Sequence, residues 1–294
     1  MKFPAICVAA LLATSASAES HEYRVLFGGD DVGGLEVETD GDTSNIVFDY
    51  KQNGRGPTIA ETLKLDESGM PSSWAITGRT TFGNPVNETY ACADGKADWR
   101  DATGPGSADA CSFYIDQNGS PWGISLLAKA LLAEPDGELA VLPGGTARIR
   151  ARDSATYDGA GGTVTVTTYE ITGLSTNPTH VTLDEELQLF SVASPRFAIV
   201  REGYEGADEA LRAEAERYST QRFVEIQANA SRNFNGPVRI RNVRIFDPKT
   251  LAVTEARDVV VNGERIASIQ QVGSTPTEGE TVIDGAGGTL VPGM

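Results

Sequence analysis

The sequence predicts a mainly β protein, in which an antiparallel meander is interrupted by two helices and followed by a second, smaller set of strands. Runs of alternating polar and apolar residues, such as Leu35 to Thr39, are separated by Gly-Asp and Gly-Gly steps. This pattern is typical of half-buried strands joined by tight turns. Segments such as Thr163 to Tyr169 are also rich in β-branched residues, which favour strands.

The first eighteen residues have the three parts of a secretory signal. Lys2 supplies the positive start, residues 4–12 are apolar, and residues 16–18 form an A-x-A cleavage site. We therefore expect cleavage between Ala18 and Glu19 and export to the periplasm or the medium; a buried N-terminal helix is the alternative. The apolar run is shorter than the roughly 20 residues that span a bilayer. No later segment is long and apolar enough, so the sequence predicts no membrane span.

The predicted first domain covers residues 19–230. Its predicted strands are, in order, residues 23–27, 35–39, 45–50, 58–65, 73–81, 88–92, 146–152, 163–172 and 197–201. Ser120 as N-cap and Pro121 at the first helical position predict a helix near 121–133. A second helix is predicted near 206–228, because the segment is rich in Ala, Glu and Arg. Its predicted apolar stripe consists of Leu211, Ala215 and Tyr218.

The segment between residues 230 and 237 is polar and ends in Gly236-Pro237, which predicts a domain boundary. In the second domain, residues 237–294, the apolar phase of the first strand switches between Ile240 and Val243, as a β-bulge would produce. Asn262-Gly263 predicts a two-residue hairpin. Residues 281–284 and 289–292 are expected to form a last pair across a glycine-rich turn.

The two cysteines outside the signal, Cys92 and Cys111, flank a loop rich in Gly, Asp and Ala. In an oxidising compartment such a pair predicts a disulfide, which would stabilise the fold by roughly 3 kcal/mol. The alternative is a metal site, but no neighbouring His or further Cys is available to complete one. The formal net charge of −17 argues against nucleic acid and anionic membrane surfaces as partners.

A search for catalytic and metal-binding residues gives none. His21 and His180 are the two histidines, they lie far apart in the sequence, and a zinc site normally needs three or four converging ligands. Ser120 does not lie in the G-x-S-x-G pattern of a nucleophile elbow. The sequence therefore predicts no cofactor in this chain, and it makes no prediction of oligomeric state.

The second domain contains three sequence blocks, which are Ile240 to Asp247, Val260 to Ile269 and Val282 to Met294. They resemble the N-terminal strands of the metal-dependent amidohydrolases, especially the imidazolonepropionase-like and dipeptidase-like branches. The resemblance covers about a fifth of the chain. It implies part of a composite β-sandwich, hydrolysis of carbon–nitrogen bonds other than peptide bonds, an amide or cyclic amide substrate and a divalent metal, zinc.

In that family the Val-Pro-Gly-Met segment leads into a strand that carries the His-x-His metal ligands of a (β/α)8 barrel, whereas this sequence stops at Met294. The resemblance therefore supplies no catalytic or metal residue here, and substrate and metal belong only to an intact member. It implies an inactive N-terminal fragment with a loose tail after Gly236. The alternative is a non-catalytic exported β-rich protein that binds a lipid, sugar or partner through a curved sheet.

Overall fold

The computed structural model describes residues 19–293. The predicted signal sequence up to Ala18 lies outside the described residues, so the cleavage prediction stays a prediction. The chain divides into two compact units, the first ending at Gln221 and the second beginning at Arg222.

The first unit contains fifteen strands and most of two helices. The strands are β1 (Glu19–Phe27), β2 (Asp30–Asp40), β3 (Thr43–Tyr50), β4 (Thr58–Leu65), β5 (Pro71–Arg79), β6 (Pro85–Ala93), β7 (Lys96–Asp101), β8 (Gly104–Ala108), β9 (Phe113–Tyr114), β10 (Glu138–Leu142), β11 (Thr146–Gly159), β12 (Gly162–Thr172), β13 (Thr179–Asp184), β14 (Leu189–Ala193) and β15 (Phe197–Arg201). The helices are α1 (Trp122–Ala133) and α2 (Asp208–Ala230), and a 3₁₀ turn, Glu205–Ala207, precedes α2. The predicted mainly β fold with two helices is confirmed.

All fifteen strands belong to one mixed sheet. From β1 the strands β2 to β8 follow in sequence order on one side, and β15 back to β9 follow on the other. Neighbours are antiparallel except β9 and β10, which are parallel. The sheet is therefore two meanders joined where β1 pairs with β15.

Alternating burial along the strands builds one apolar core on one face of this sheet. Strands from both of its halves contribute to the core together with α1, whose Trp122, Leu127 and Leu131 are buried. Because both halves meet the same helix, the sheet curves around α1. Pro121 occupies the N-cap position, where Ser120 was predicted. Ser120 instead has its backbone N–H engaged by a buried carboxylate, and its Oγ accepts only a long, 3.4 Å bond from Trp122 N.

A second apolar cluster lies beside the first half of α2. Leu211 of the helix packs there with Phe190 and Tyr204. The predicted stripe of Leu211, Ala215 and Tyr218 is buried, which confirms it. In residues 19–293 no helix combines the length and the apolar character that crossing a membrane requires.

The second unit contains a six-stranded sheet. Its strands are β16 (Val238–Asp247), β17 (Ala252–Val253), β18 (Arg257–Asn262), β19 (Arg265–Gln271), β20 (Thr281–Asp284) and β21 (Thr289–Leu290). The order is β17-β16-β18-β19, and β20 and β21 each pair with β16 in parallel.

The register of the second unit tests three sequence predictions. The bulge is confirmed, because the pairing of β16 with β18 shifts between Ile240 and Val243. The hairpin at Asn262 is confirmed by its pairing with Arg265. The predicted pair of residues 281–284 with 289–292 is wrong, since both segments pair with β16. The bulge divides β16 into two halves, and each half accepts one of the short strands.

Candidate functional site

A cavity of about 350 Å³ lies between α1 and the sheet of the first unit. Ligand sites of small molecules usually measure about 300 to 1,000 Å³ and are mostly apolar, with a few polar groups. This cavity fits that description. Its lining includes Phe48, Tyr50, Phe113, Leu127 and Phe197, together with one acidic residue, Asp116.

The aromatic wall follows from strand alternation and sheet curvature. Phe48 and Tyr50 lie two residues apart on β3, so their side chains share a face, and their ring centroids are 5.5 Å apart. Phe197 begins β15, three strands away in the sheet order. The Tyr50 and Phe197 rings nevertheless lie 6.4 Å apart and nearly parallel. The curved sheet therefore closes around this end of the cavity.

Asp116 lies in the segment between β9 and α1 and is partly accessible, because it lines the cavity. Its Oδ2 accepts a 2.6 Å hydrogen bond from the Gly119 N–H. Burial raises the pKa of the Asp116 carboxyl to about 7, with Glu61 and Glu88 adding to the rise and the Gly119 N–H opposing it. A group that titrates near neutral pH and faces a cavity is typical of a functional site.

Two further acids lie in one row of the sheet beneath α1. Glu61 on β4 pairs with Ile76 on β5, which pairs with Glu88 on β6. Glu61 is 4% exposed and Glu88 is 1% exposed. Burial raises the pKa of the Glu61 carboxyl, and the negative charge of Glu88 adds to the rise.

The segment that leads into α1 satisfies these acids with backbone donors. The Gln117 N–H donates to Glu88 Oε1 at 2.9 Å, and the Ser120 N–H donates to Glu61 Oε1. Together with the Gly119 N–H on Asp116, three backbone donors serve three carboxyl groups. Each acid therefore holds one backbone group at the entry to α1.

Neutral donors complete the site. Trp74 Nε1 donates to Glu61 at 2.8 Å, and the Tyr114 hydroxyl donates to Glu88 Oε1 at 2.7 Å. The second oxygen of Glu88, Oε2, is buried and has no hydrogen-bond partner among residues 19–293.

The three acids have no counter-ion in the described part of the chain. No Lys, Arg or His nitrogen lies within 4.0 Å of Glu61, Glu88 or Asp116 there. The N-terminus of α1 supplies only about half a positive charge. Buried carboxylates without a cation are costly, and of these three acids Asp116 lines the cavity itself.

Close packing at the start of α1 brings the helix against this wall. A Cβ added at Gly123 would lie 2.4 Å from Trp74 and 3.3 Å from Asp116 Oδ1. A Cβ added at Gly119 would lie 2.5 Å from Asp116 Oδ2. Only glycine therefore fits at these two positions without displacement of a neighbour.

Of the residues discussed in the sequence analysis, Ser120 lines the cavity, whereas the cysteines and histidines lie elsewhere. Cys92 and Cys111 form the predicted disulfide, with Cα atoms 5.6 Å apart. His21 lies 3.2 Å from Glu19 and beside Trp122, and burial lowers its pKa. No three His, Cys, Asp or Glu side chains of residues 19–293 are arranged to hold a metal ion.

His180 packs on α2, away from the acids beneath α1. Its ring stacks on Tyr218 with centroids 4.5 Å apart, and its Nε2 lies 3.5 Å from Glu170. Burial lowers the pKa of the His180 imidazole.

The sequence reasoning missed all three acids, although two of them carried a signal. Glu61 lies between Ile59 and Leu63 in the apolar phase of β4, as the burial pattern shows. Glu88 lies between two buried residues in the apolar phase of β6. A charged residue at an inward position of a strand is the signal that would have identified them. Asp116 lies in a loop with no periodic pattern.

Comparisons with known proteins identify no family. No family model matches the chain, and no curated protein matches it. A β-barrel-like protein of the domain of unknown function DUF1849 from Brucella abortus aligns with a TM-score of 0.41 and 11% identity, over 63% of this chain and 95% of that one. A DUF1089 family protein from Pseudomonas aeruginosa aligns with a TM-score of 0.33 and 14% identity, over 65% of this chain and 97% of that one. At these scores neither likeness carries an argument.

These findings overturn the resemblance of residues 238–294 to the amidohydrolases, which is wrong. No family model matches the chain, and the amidohydrolase families are therefore not matched either. Each of the three blocks is a short hairpin or turn pattern that many sheets share. The prediction of an amidohydrolase sandwich depended on this resemblance and is withdrawn with it. The hydrolytic activity depended on the resemblance alone, so it is not proposed.

Proposed function

We propose that this chain is a non-catalytic, exported, β-rich binding protein that holds a small and mostly apolar ligand in the cavity beneath α1. The observation that carries the proposal is the cavity itself, about 350 Å³ in volume and lined by aromatic side chains with one ionisable group. Small-molecule sites usually have this size and this kind of lining.

The surroundings of Asp116 favour binding over catalysis. Acyl or phosphoryl transfer needs a nucleophile paired with a base, or an acid and a base on the reacting atoms. Within residues 19–293 the Asp116 carboxyl has one hydrogen-bond partner, a backbone N–H. The Ser120 hydroxyl accepts a long bond from Trp122 N and also hydrogen-bonds the Glu61 carboxyl. Glu61 also accepts hydrogen bonds from Trp74 Nε1 and the Ser120 N–H, and no histidine hydrogen-bonds the Ser120 hydroxyl within residues 19–293.

Export is supported by two features of the chain. The first eighteen residues have the pattern of a secretory signal. Cys92 and Cys111 form a disulfide, and disulfides persist mainly in oxidising compartments. We infer that the protein acts in the periplasm or outside the cell.

A neutral fluorescent probe tests the cavity. N-phenylnaphthylamine, which fluoresces strongly in apolar surroundings, should bind the full chain with saturable enhancement. Ile124→Trp should abolish the enhancement, because Ile124 lines the cavity and the larger side chain would fill it. Ile226→Trp is the matched control, since Ile226 lies on the exposed part of α2.

The outcomes separate clearly. Binding to the native chain and to Ile226→Trp, and its loss in a folded Ile124→Trp variant, would support the proposal. No saturable binding to the native chain, or binding that Ile124→Trp leaves unchanged, would reject the cavity as a ligand site. Circular dichroism of each variant establishes that it is folded.

A further inference from the structure

We propose that the ligand of this cavity is an organic cation, a substituted ammonium whose charge is held by Asp116 and by the aromatic wall of Phe48, Tyr50 and Phe197. This inference rests on the proposed function and names the chemical class of the ligand. Three observations lead to it: the uncompensated acids, the free oxygen of Asp116 and the adjacent aromatic rings.

The charge balance is the first observation. Within residues 19–293, Glu61, Glu88 and Asp116 receive hydrogen bonds from backbone N–H groups, an indole, a phenol and the Ser120 hydroxyl. These donors are neutral, and the end of α1 adds only about half a positive charge. A bound cation would supply the missing counter-charge in a region of low dielectric, where charge pairs are strong.

The free oxygen of Asp116 is the second observation. Oδ2 is occupied by the Gly119 N–H, whereas Oδ1 accepts no hydrogen bond within residues 19–293. Asp116 lines the cavity and Gly123 carries no side chain that would cover Oδ1. The carboxyl therefore has acceptor capacity toward the cavity, and an ammonium can use it.

The aromatic wall is the third observation. The rings of Phe48, Tyr50 and Phe197 form a continuous set with centroids 5.5 and 6.4 Å apart. Aromatic faces attract cations, and groups of such rings are the usual surroundings of quaternary ammonium ligands. An apolar wall beside a carboxylate also disfavours an anion, because no described cation faces the cavity to receive one.

Competition against the neutral probe tests the inference with three ligands of one chain length. Hexyltrimethylammonium, hexanol and hexanoate are titrated into the full chain loaded with N-phenylnaphthylamine at about pH 8, where the Asp116 carboxyl is mostly ionised. The cation should bind at least about tenfold more tightly than hexanol. Hexanoate should bind most weakly.

Asp116→Asn removes the charge and keeps the shape. The variant should lose most of the preference for hexyltrimethylammonium while its affinity for hexanol stays within about twofold of the native value. Asp30→Asn, at an exposed residue, is the matched control and should keep the native preference. Probe binding by Asp116→Asn shows that its cavity is intact.

Failure of the inference and failure of the proposed function are distinguishable. If the probe and hexanol bind but the cation gains nothing, or if Asp116→Asn keeps the native preference, the cation proposal is wrong and the binding function stands. If the probe does not bind the native chain, the cavity is not a ligand site and both proposals fail. If the native chain prefers the cation and Asp116→Asn removes this preference, the result supports both the cation proposal and the binding function.

Discussion

Two of the groups of carboxylates that the first unit buries have different hydrogen-bond and charge partners. Glu170 on β12 is 6% exposed and is paired with Arg150 at 2.6 Å, Arg152 at 2.9 Å and His180 at 3.5 Å. The acids beneath α1, described above, have only neutral donors. Glu61, Glu88 and Glu170 lie on the same sheet, so the contrast between them comes from their partner residues.

The comparison indicates what each group does. A buried carboxylate that is paired with cations fixes neighbouring elements, here β11, β12 and α2 through the Arg152 contacts with Glu170 and Gln221. A buried carboxylate without a cation costs stability. Local departures of this kind are expected where a protein binds something.

Removing an arginine from the ion pairs of Glu170 should have the largest effect on stability. Arg152→Met leaves Glu170 without its most buried arginine and removes the guanidinium from the Tyr218 ring, 4.9 Å away. We expect the free energy of unfolding to fall by about 3 kcal/mol, near the lower end for a broken buried pair. Urea unfolding followed by fluorescence measures it.

The neighbouring arginine is the matched control for that change. The Arg150 side chain is 61% exposed and that of Arg152 is 19% exposed, although both contact Glu170. Arg150→Met should therefore cost less than about 1 kcal/mol, as exposed pairs do. Equal losses of unfolding free energy in the two variants would show that burial does not determine how much each arginine contributes to stability.

Removing the charge of Asp116 should stabilise the protein, and only at the higher pH. The carboxyl titrates near 3.8 in the unfolded chain and near 7 in the fold. Its protonated form therefore contributes stability below about pH 4, and that contribution is lost as the pH rises through about 7. Asp116→Asn should be more stable than the native chain by up to about 4 kcal/mol at pH 8 and nearly equal to it at pH 4.

The charges of Glu61 and Asp116 repel each other, so Asp116→Asn also relieves Glu61 at the higher pH, and this effect has the same sign. The difference in unfolding free energy between Asp116→Asn and the native chain, measured from pH 4 to pH 8, should rise steadily. A difference that is constant with pH, or one that falls, would contradict the uncompensated state of Asp116.

The smallest predicted effect is on the Asp116 pKa itself. Glu61→Gln should lower the pKa of the Asp116 carboxyl, because a negative neighbour is removed, and Glu88→Gln should lower it less. Side-chain carboxyl ¹³C shifts followed through a pH titration measure both. Glu67→Gln, in an exposed turn, should leave the Asp116 pKa unchanged. A larger fall in the Asp116 pKa for Glu88→Gln than for Glu61→Gln would contradict the positions of the two acids relative to Asp116.

Local patterns in the sequence were sufficient for most elements of the fold. Period-two alternation predicted β2, β3 and β4, and helix-forming composition predicted α2. The phase slip at Ile240 predicted the bulge in β16, because a slip moves side chains to the other face. These features depend on neighbouring residues alone.

Features that depend on distant residues could not be predicted in this way. Residues 281–284 pair with β16, some forty positions earlier, and nothing in their local pattern distinguishes this from a hairpin. Glu61 and Glu88 could have been identified as charges at inward positions, but their meeting with Asp116 depends on the curvature of the sheet around α1. The family resemblance failed for a related reason, since short turn patterns recur in unrelated sheets.

One measurement tests the central claim most directly: the pKa of the Asp116 carboxyl with and without saturating hexyltrimethylammonium. If the bound cation contacts Asp116, it favours the ionised form, and the pKa should fall from its value near 7. Hexanol at saturation serves as the neutral reference and should not lower it. A pKa that is the same with the cation as with hexanol, or that rises, would contradict the account.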